Sequence, residues 1–138
     1  MFPYIFEELD QKDHEIFKQV KASVRKISLS ADNFDFEISC HNLCRALAKI
    51  HGLEVVDGYF TRGFCHSWLM TAYGSIIDPY PPLLIEGPIM IPKRELPHPT
   101  PWKNIYLPAD IHLEADKINK QAEVISQFII SQKTKKPE

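Results

Sequence analysis

Cys40, His66 and Asp78 bring a thiol, an imidazole and a carboxylate in chain order, each near a boundary of predicted structure. Cys40 opens the helical stretch ISCHNLCRALAKIHG, His66 begins the aromatic run HSWLMTA, and Asp78 closes the apolar run SIIDPYPP. These are the parts of a cysteine acyl-transfer site: a nucleophile, a base that takes its proton, and a group that orients the base. Only the thiolate is strongly nucleophilic, and an ordinary thiol ionises near ~8.5. A helix N-terminus carries partial positive charge and unpaired N–H groups, so it favours the thiolate and can hold an oxyanion. Cys44 falls one turn later, in register with Leu43 and Leu47, and reads as a buried core thiol.

The two other groups depend on a turn. A three-residue loop at Ala72-Tyr73-Gly74 puts glycine at the left-handed position such loops prefer. Thr71 then faces Ser75, Asp78 faces Trp68, and Asp78 becomes a diagonal neighbour of His66 on the same sheet face. A two-residue Tyr73-Gly74 loop would put His66 and Asp78 on opposite faces. Trp68 stands beside the pair, as a shield from water and a candidate substrate contact, and reads equally well as a core aromatic.

Five pieces stand in order along about 40 residues: Cys40 at a helix start, Gly52-Leu53 at its end, the run Val55-Val56-Asp57-Gly58-Tyr59, then His66-Ser67-Trp68 and Asp78-Pro79. In this order they resemble the core of the transglutaminase-like members of the papain-like cysteine enzyme superfamily. The resemblance implies Cys40 as nucleophile, His66 as base and Asp78 as orienter. It implies an α+β fold in which the nucleophile helix packs on a small antiparallel sheet. Three features depart from the pattern. The Cys40 helix is about a turn shorter, Ser67 stands where Ala is common, and no upstream side chain matches the family's oxyanion donor.

The elements that must position these groups are legible from periodicity. Ile16, Phe17, Val20, Val24 and Ile27 predict a helix over 13–27 with Asp13 as N-cap. Leu43, Ala46, Leu47 and Ile50 predict a helix over 40–50, with Ser39 as N-cap and Gly52 as the terminating glycine. Leu53–Phe60 reads as a strand in which Gly58 marks a bulge or a close contact. Thr61-Arg62-Gly63 reads as a turn, and 64–71 with 75–77 as a hairpin. A final helix is predicted over 111–131, with Ala115, Ile118, Ala122, Ile125 and Ile129 on one face. Helices flanking a central antiparallel sheet give an α+β domain. Residues 1–132 form one domain and 133–138 a flexible polar tail.

Eleven prolines are present, and nine lie between Pro79 and Pro108, so that stretch is extended chain and turns with a short edge strand near 89–91. A net charge of −2 gives no basic surface for nucleic acid. No apolar run approaches the ~20 residues of a membrane span, and the acidic N-terminal stretch is unlike a secretory signal. Three cysteines form no even-numbered disulfide framework, which points to reduced thiols in the cytoplasm.

The leading expectation is a cysteine hydrolase, deamidase or transamidase acting on an amide, peptide-like or ester substrate without an organic cofactor. Two other classes compete. Cys40, His41, Cys44, Cys65 and His66 include enough donors for zinc, although paired C-x-x-C spacing is absent. A non-catalytic interaction module is the other, with Tyr80, Trp102 and Tyr106 of the Pro-rich segment offering a peptide-binding surface. His14, His41, His51, His98 and His112 read as surface or structural.

Overall fold

The structure, a computed structural model, describes residues 3–28, 31–61, 63–80, 87–95 and 105–134. Among these, three α-helices accompany one five-stranded antiparallel sheet: α1 (Pro3–Ser28), α2 (Cys40–His51), β1 (Glu54–Phe60), β2 (Phe64–Met70), β3 (Ile76–Asp78), β4 (Ile89–Ile91), β5 (Tyr106–Pro108) and α3 (Ala115–Thr134). The strand order is β4-β3-β2-β1-β5. The architecture is α+β. No helix among the described residues is long and apolar enough to cross a membrane.

α2 forms where its caps dictate. The Ser39 side chain accepts from the Asn42 N–H, and the Asn42 side chain accepts from the Ser39 N–H, closing a reciprocal capping box. Gly52 ends the helix at φ 67, a left-handed conformation that costs glycine little. The inner face of α2 places Leu43, Ala46 and Leu47 against Val20 and Ile27 of α1, Ile125 and Ile129 of α3, and Leu69 and Ile77 of the sheet. A second apolar cluster holds Phe60, Trp68, Ile76, Ile91 and Tyr106. Strand alternation separates the two clusters: Trp68 and Ile76 belong to one, Leu69 and Ile77 to the other.

The hairpin follows the three-residue loop. Leu69 pairs with Ile77 and Met70 with Ile76, which places Thr71 opposite Ser75, where the Thr71 N–H donates to the Ser75 carbonyl at 3.0 Å. Gly74 takes φ 110. Gly58 is the close contact that a mid-strand glycine suggests, since a Cβ there would lie 2.1 Å from the Leu107 carbonyl oxygen on β5.

Three boundaries differ from expectation. α1 starts ten residues earlier, at Pro3, a residue well tolerated at a first helical position. Asp13 is therefore not an N-cap. It is 3% exposed and accepts from the Thr71 and Ser75 hydroxyls at 3.1 and 2.5 Å, tying α1 to the hairpin turn. α3 starts at Ala115 rather than 111, because the chain is still pairing with β1 through Pro108 and the Ala109 N–H donates to Asp57 O at 3.1 Å. β5 itself was not expected within the Pro-rich segment. α3 runs through Thr134, and the rest of the expected tail, with Arg62, His98 and Trp102, lies outside the described residues.

Gly58→Ala should lower the unfolding free energy by about 2–3 kcal/mol, the scale of a backbone clash in a packed interior. Gly63→Ala, which meets nothing within 4 Å, should stay within about 0.5 kcal/mol. Urea unfolding of both variants measures the difference.

Candidate active site

The β2–β3 register sets His66 beside Asp78. His66 Nε2–H donates to Asp78 Oδ2 at 2.7 Å, with the two residues 2% and 0% exposed. Asp78 holds two further donors: the Tyr106 hydroxyl on Oδ2 at 2.8 Å and the Tyr80 N–H on Oδ1 at 3.1 Å. A carboxylate this deep is tolerated because its oxygens are hydrogen-bonded from β2, β5 and its own turn. With Nε2 bound to Asp78, Nδ1 carries the lone pair that acts as a base.

Aromatic rings wall the imidazole. Trp68 lies nearly parallel to it, with centroids 6.2 Å apart and planes at 28°. Phe60 meets it edge-on at 5.7 Å, and Tyr106 packs against Trp68 at 5.2 Å. Trp68 is 1% exposed, so in this conformation its ring supports His66 and presents no surface to a substrate. Tyr106, expected on an exposed peptide-binding surface, is buried and bonded to Asp78, whereas Tyr80 is exposed.

Cys40 is the first residue of α2 and is partly exposed. The imidazoles of His41 and His66 both favour its thiolate. Burial opposes ionisation, but the two imidazoles outweigh it and bring the thiol down to about 6. Burial also opposes a charged His66, while Asp78 and then Cys40 favour it, raising the imidazole to about 9. Cys40 and His66 therefore form a thiolate–imidazolium pair between about pH 6 and about pH 9. Below that window sulfur is protonated, and above it the imidazolium is lost. Among the described residues no acceptor is bonded to the backbone N–H of Cys40, which leaves one oxyanion donor at the thiol.

The neighbouring thiols behave differently. Cys44 is fully buried, its Sγ–H donates to the Ser67 carbonyl at 3.3 Å, and burial pushes its thiol well up. Cys65 is exposed, with Sγ on the opposite side of β2 from His66. The donors weighed for zinc are thus divided, and among the described residues no group of three or more His, Cys, Asp or Glu side chains is placed to hold a metal ion.

Sequence reasoning put Cys40, His66 and Asp78 in one place; the structure joins His66 to Asp78 by a 2.7 Å hydrogen bond and puts Cys40 at the start of α2, where His66 favours its thiolate. It missed Tyr106, whose strand lies in the Pro-rich segment, and His41, which it took as surface or structural. Gly58 carried a signal for Tyr106, since a glycine inside a strand marks close approach of another backbone. No family model, curated protein or solved structure matches the chain.

Asp78→Asn removes the carboxylate charge that raises His66 and leaves burial, which lowers it. The His66 titration should fall from about 9 to near or below the ordinary histidine value of ~6.5. NMR titration of the ring signals reads this directly, and an unmoved midpoint would show that Asp78 does not set the charge of the imidazole.

Proposed function

We propose that the chain is a cysteine-dependent acyl-transfer enzyme with a transglutaminase-like, papain-like core. The observation that carries the reading is the Cys40 thiol at the N-terminus of α2, whose ionisation is favoured by an imidazole that Asp78 braces at 2.7 Å. Helix start, strand, hairpin and Asp-Pro turn follow in the order of the resemblance, which supports the family assignment. The substrate class is an amide or ester of a peptide-like molecule. A groove of about 840 Å³ runs from Ser39 along α3, lined by Phe36, Leu113, Lys117, Gln121 and Val124 among others, but none of Cys40, His66 and Asp78 lines it. A working thiolate requires a reducing compartment, which agrees with a cytoplasmic setting.

The steps follow from the charges. The Cys40 thiolate attacks the carbonyl carbon, and the carbonyl electrons move to oxygen, facing the Cys40 N–H. His66 gives its Nδ1 proton to the departing amine or alcohol as the bond to carbon breaks, leaving a thioester. Neutral His66 then takes a proton from the acceptor, water or an amine, as that acceptor attacks the thioester. Sulfur leaves as thiolate, restoring the resting pair. Asp78 keeps the same tautomer throughout and stabilises the imidazolium without taking its proton.

p-Nitrophenyl acetate is a suitable acyl donor for the test. One equivalent of p-nitrophenolate should be released in a burst, with an acetyl group on Cys40 by mass spectrometry. The acylation rate should be bell-shaped in pH with limbs near 6 and 9. Cys40→Ser should abolish the burst, and His66→Ala should slow it by about 10²-fold or more. Added methylamine distinguishes an amine acceptor from water. A burst unaffected by Cys40→Ser, or acetyl groups spread evenly over the three thiols, would refute the reading.

A further inference from the structure

Two donors share one carboxylate oxygen. His66 Nε2–H and the Tyr106 hydroxyl both end on Asp78 Oδ2, at 2.7 and 2.8 Å, while Oδ1 takes the Tyr80 N–H. Tyr106 arrives there on β5, opposite Phe60 of β1. Its ring is held edge-on against Phe60 at 5.4 Å and against Trp68 at 5.2 Å. The side chain is buried, and burial together with the Asp78 charge pushes the ionisation of the phenol up, so it stays an O–H that donates.

The two hydrogen bonds are coupled through that oxygen. When His66 is an imidazolium, its charge draws electron density from Oδ2, and the phenol bonds to a partly neutralised carboxylate. When His66 is neutral, the carboxylate keeps its full charge and the same phenol bond is stronger. A bond that strengthens as the ring loses its proton favours the neutral ring. By this cycle Tyr106 works against Asp78. The carboxylate raises the affinity of His66 for its proton, and the phenol limits the rise.

Resting on the acyl-transfer reading, we infer that Tyr106 is a positioning residue that acts through Asp78: its hydroxyl steadies the buried carboxylate whenever His66 is neutral, and so keeps the imidazolium a usable proton donor. The reaction needs this twice. His66 must release its Nδ1 proton to the departing group, and neutral His66 must then take a proton from the acceptor. In both steps the proton moves at Nδ1, and the Tyr106 O–H bond stays intact. The titratable groups facing the pair come from the elements packed on it: Cys40 and Cys44 on α2, Asp78 on β3 and Tyr106 on β5. Arg45 on α2 and Asp57 on β1 bear on Cys44 beyond them, and β1 also brings the uncharged Phe60 ring against His66.

The test is Tyr106→Phe, which keeps the ring and its packing and removes the hydroxyl. NMR titration of the His66 ring should show its midpoint moving up from about 9 by about one pH unit, the scale of one hydrogen bond to a charged group. This is the opposite direction to Asp78→Asn. The upper limb of the p-nitrophenyl acetate burst profile should move up with it. Release after the burst, which needs neutral His66, should slow by up to about tenfold at a pH below the midpoint. A His66 midpoint that stays put overturns the role, and so does one that falls, since a merely structural loss would loosen the brace and lower it. Either result leaves the acyl-transfer reading standing. A native protein that gives no Cys40 burst overturns both. Should the variant fail to fold, the native protein decides: the ¹³C signal of Tyr106 Cζ should track the His66 titration near 9, and a signal flat through that range contradicts the coupling.

Discussion

The hydrogen bond from His66 Nε2 to Asp78 Oδ2 is the constraint around which the rest of the structure is arranged. It requires one hairpin register, because a shift of one residue would send the two side chains to opposite faces of the sheet. It requires a dry setting, which Phe60, Trp68 and Tyr106 provide. It also requires a second strand to complete the carboxylate's hydrogen bonds, and β5 delivers the Tyr106 hydroxyl by lying so close to β1 that only glycine fits at position 58. Burial alone would oppose a charge on His66. Paired, they support the positive charge that the Cys40 thiolate needs.

Polar groups inside the fold repeat this logic. Asp13 pins the hairpin turn through Thr71 and Ser75, and the Ser75 oxygen accepts the Lys93 N–H at 3.0 Å, so one buried carboxylate connects α1, the turn and the segment after β4. Asn42 closes the cap of α2 and also donates to Glu37 O and to the Gln121 side chain, both at 3.0 Å, joining the nucleophile's helix to α3. Lys49 and Glu123 add a surface ion pair between the same two helices. Such an exposed pair contributes little. The Asn42 bonds and the shared apolar face fix where the helix tip, and hence the thiol, meets β2.

The parts of this arrangement that were legible in the sequence are those written in local rules. Ser39 and Gly52 mark both ends of α2, and the Gly74 turn fixes the pairing that joins His66 to Asp78. What was not legible depends on partners distant in the chain. Asp13 looked like an N-cap because a carboxylate before an apolar helical stripe usually is one, and its true partners lie some sixty residues on. Tyr106 sits on a three-residue strand with too little periodicity to announce itself. His41 is adjacent to Cys40, and adjacent residues of a helix do not ordinarily share a partner. Only the crossing of α2 over β2 brings His41 to Ser67, at 2.7 Å.

Electrostatics, not exposure, decides which thiol reacts. At pH 6 about half of Cys40 is thiolate, whereas an ordinary thiol is ionised to less than about one per cent. The lower basicity of the Cys40 sulfur cancels about one order of magnitude of that advantage. About a tenfold preference should remain. The direct measurement is peptide mapping after limiting chloroacetamide at pH 6, comparing partly exposed Cys40 with exposed Cys65. Cys40 should be modified first by about that factor. Modification of Cys65 ahead of Cys40 would contradict it.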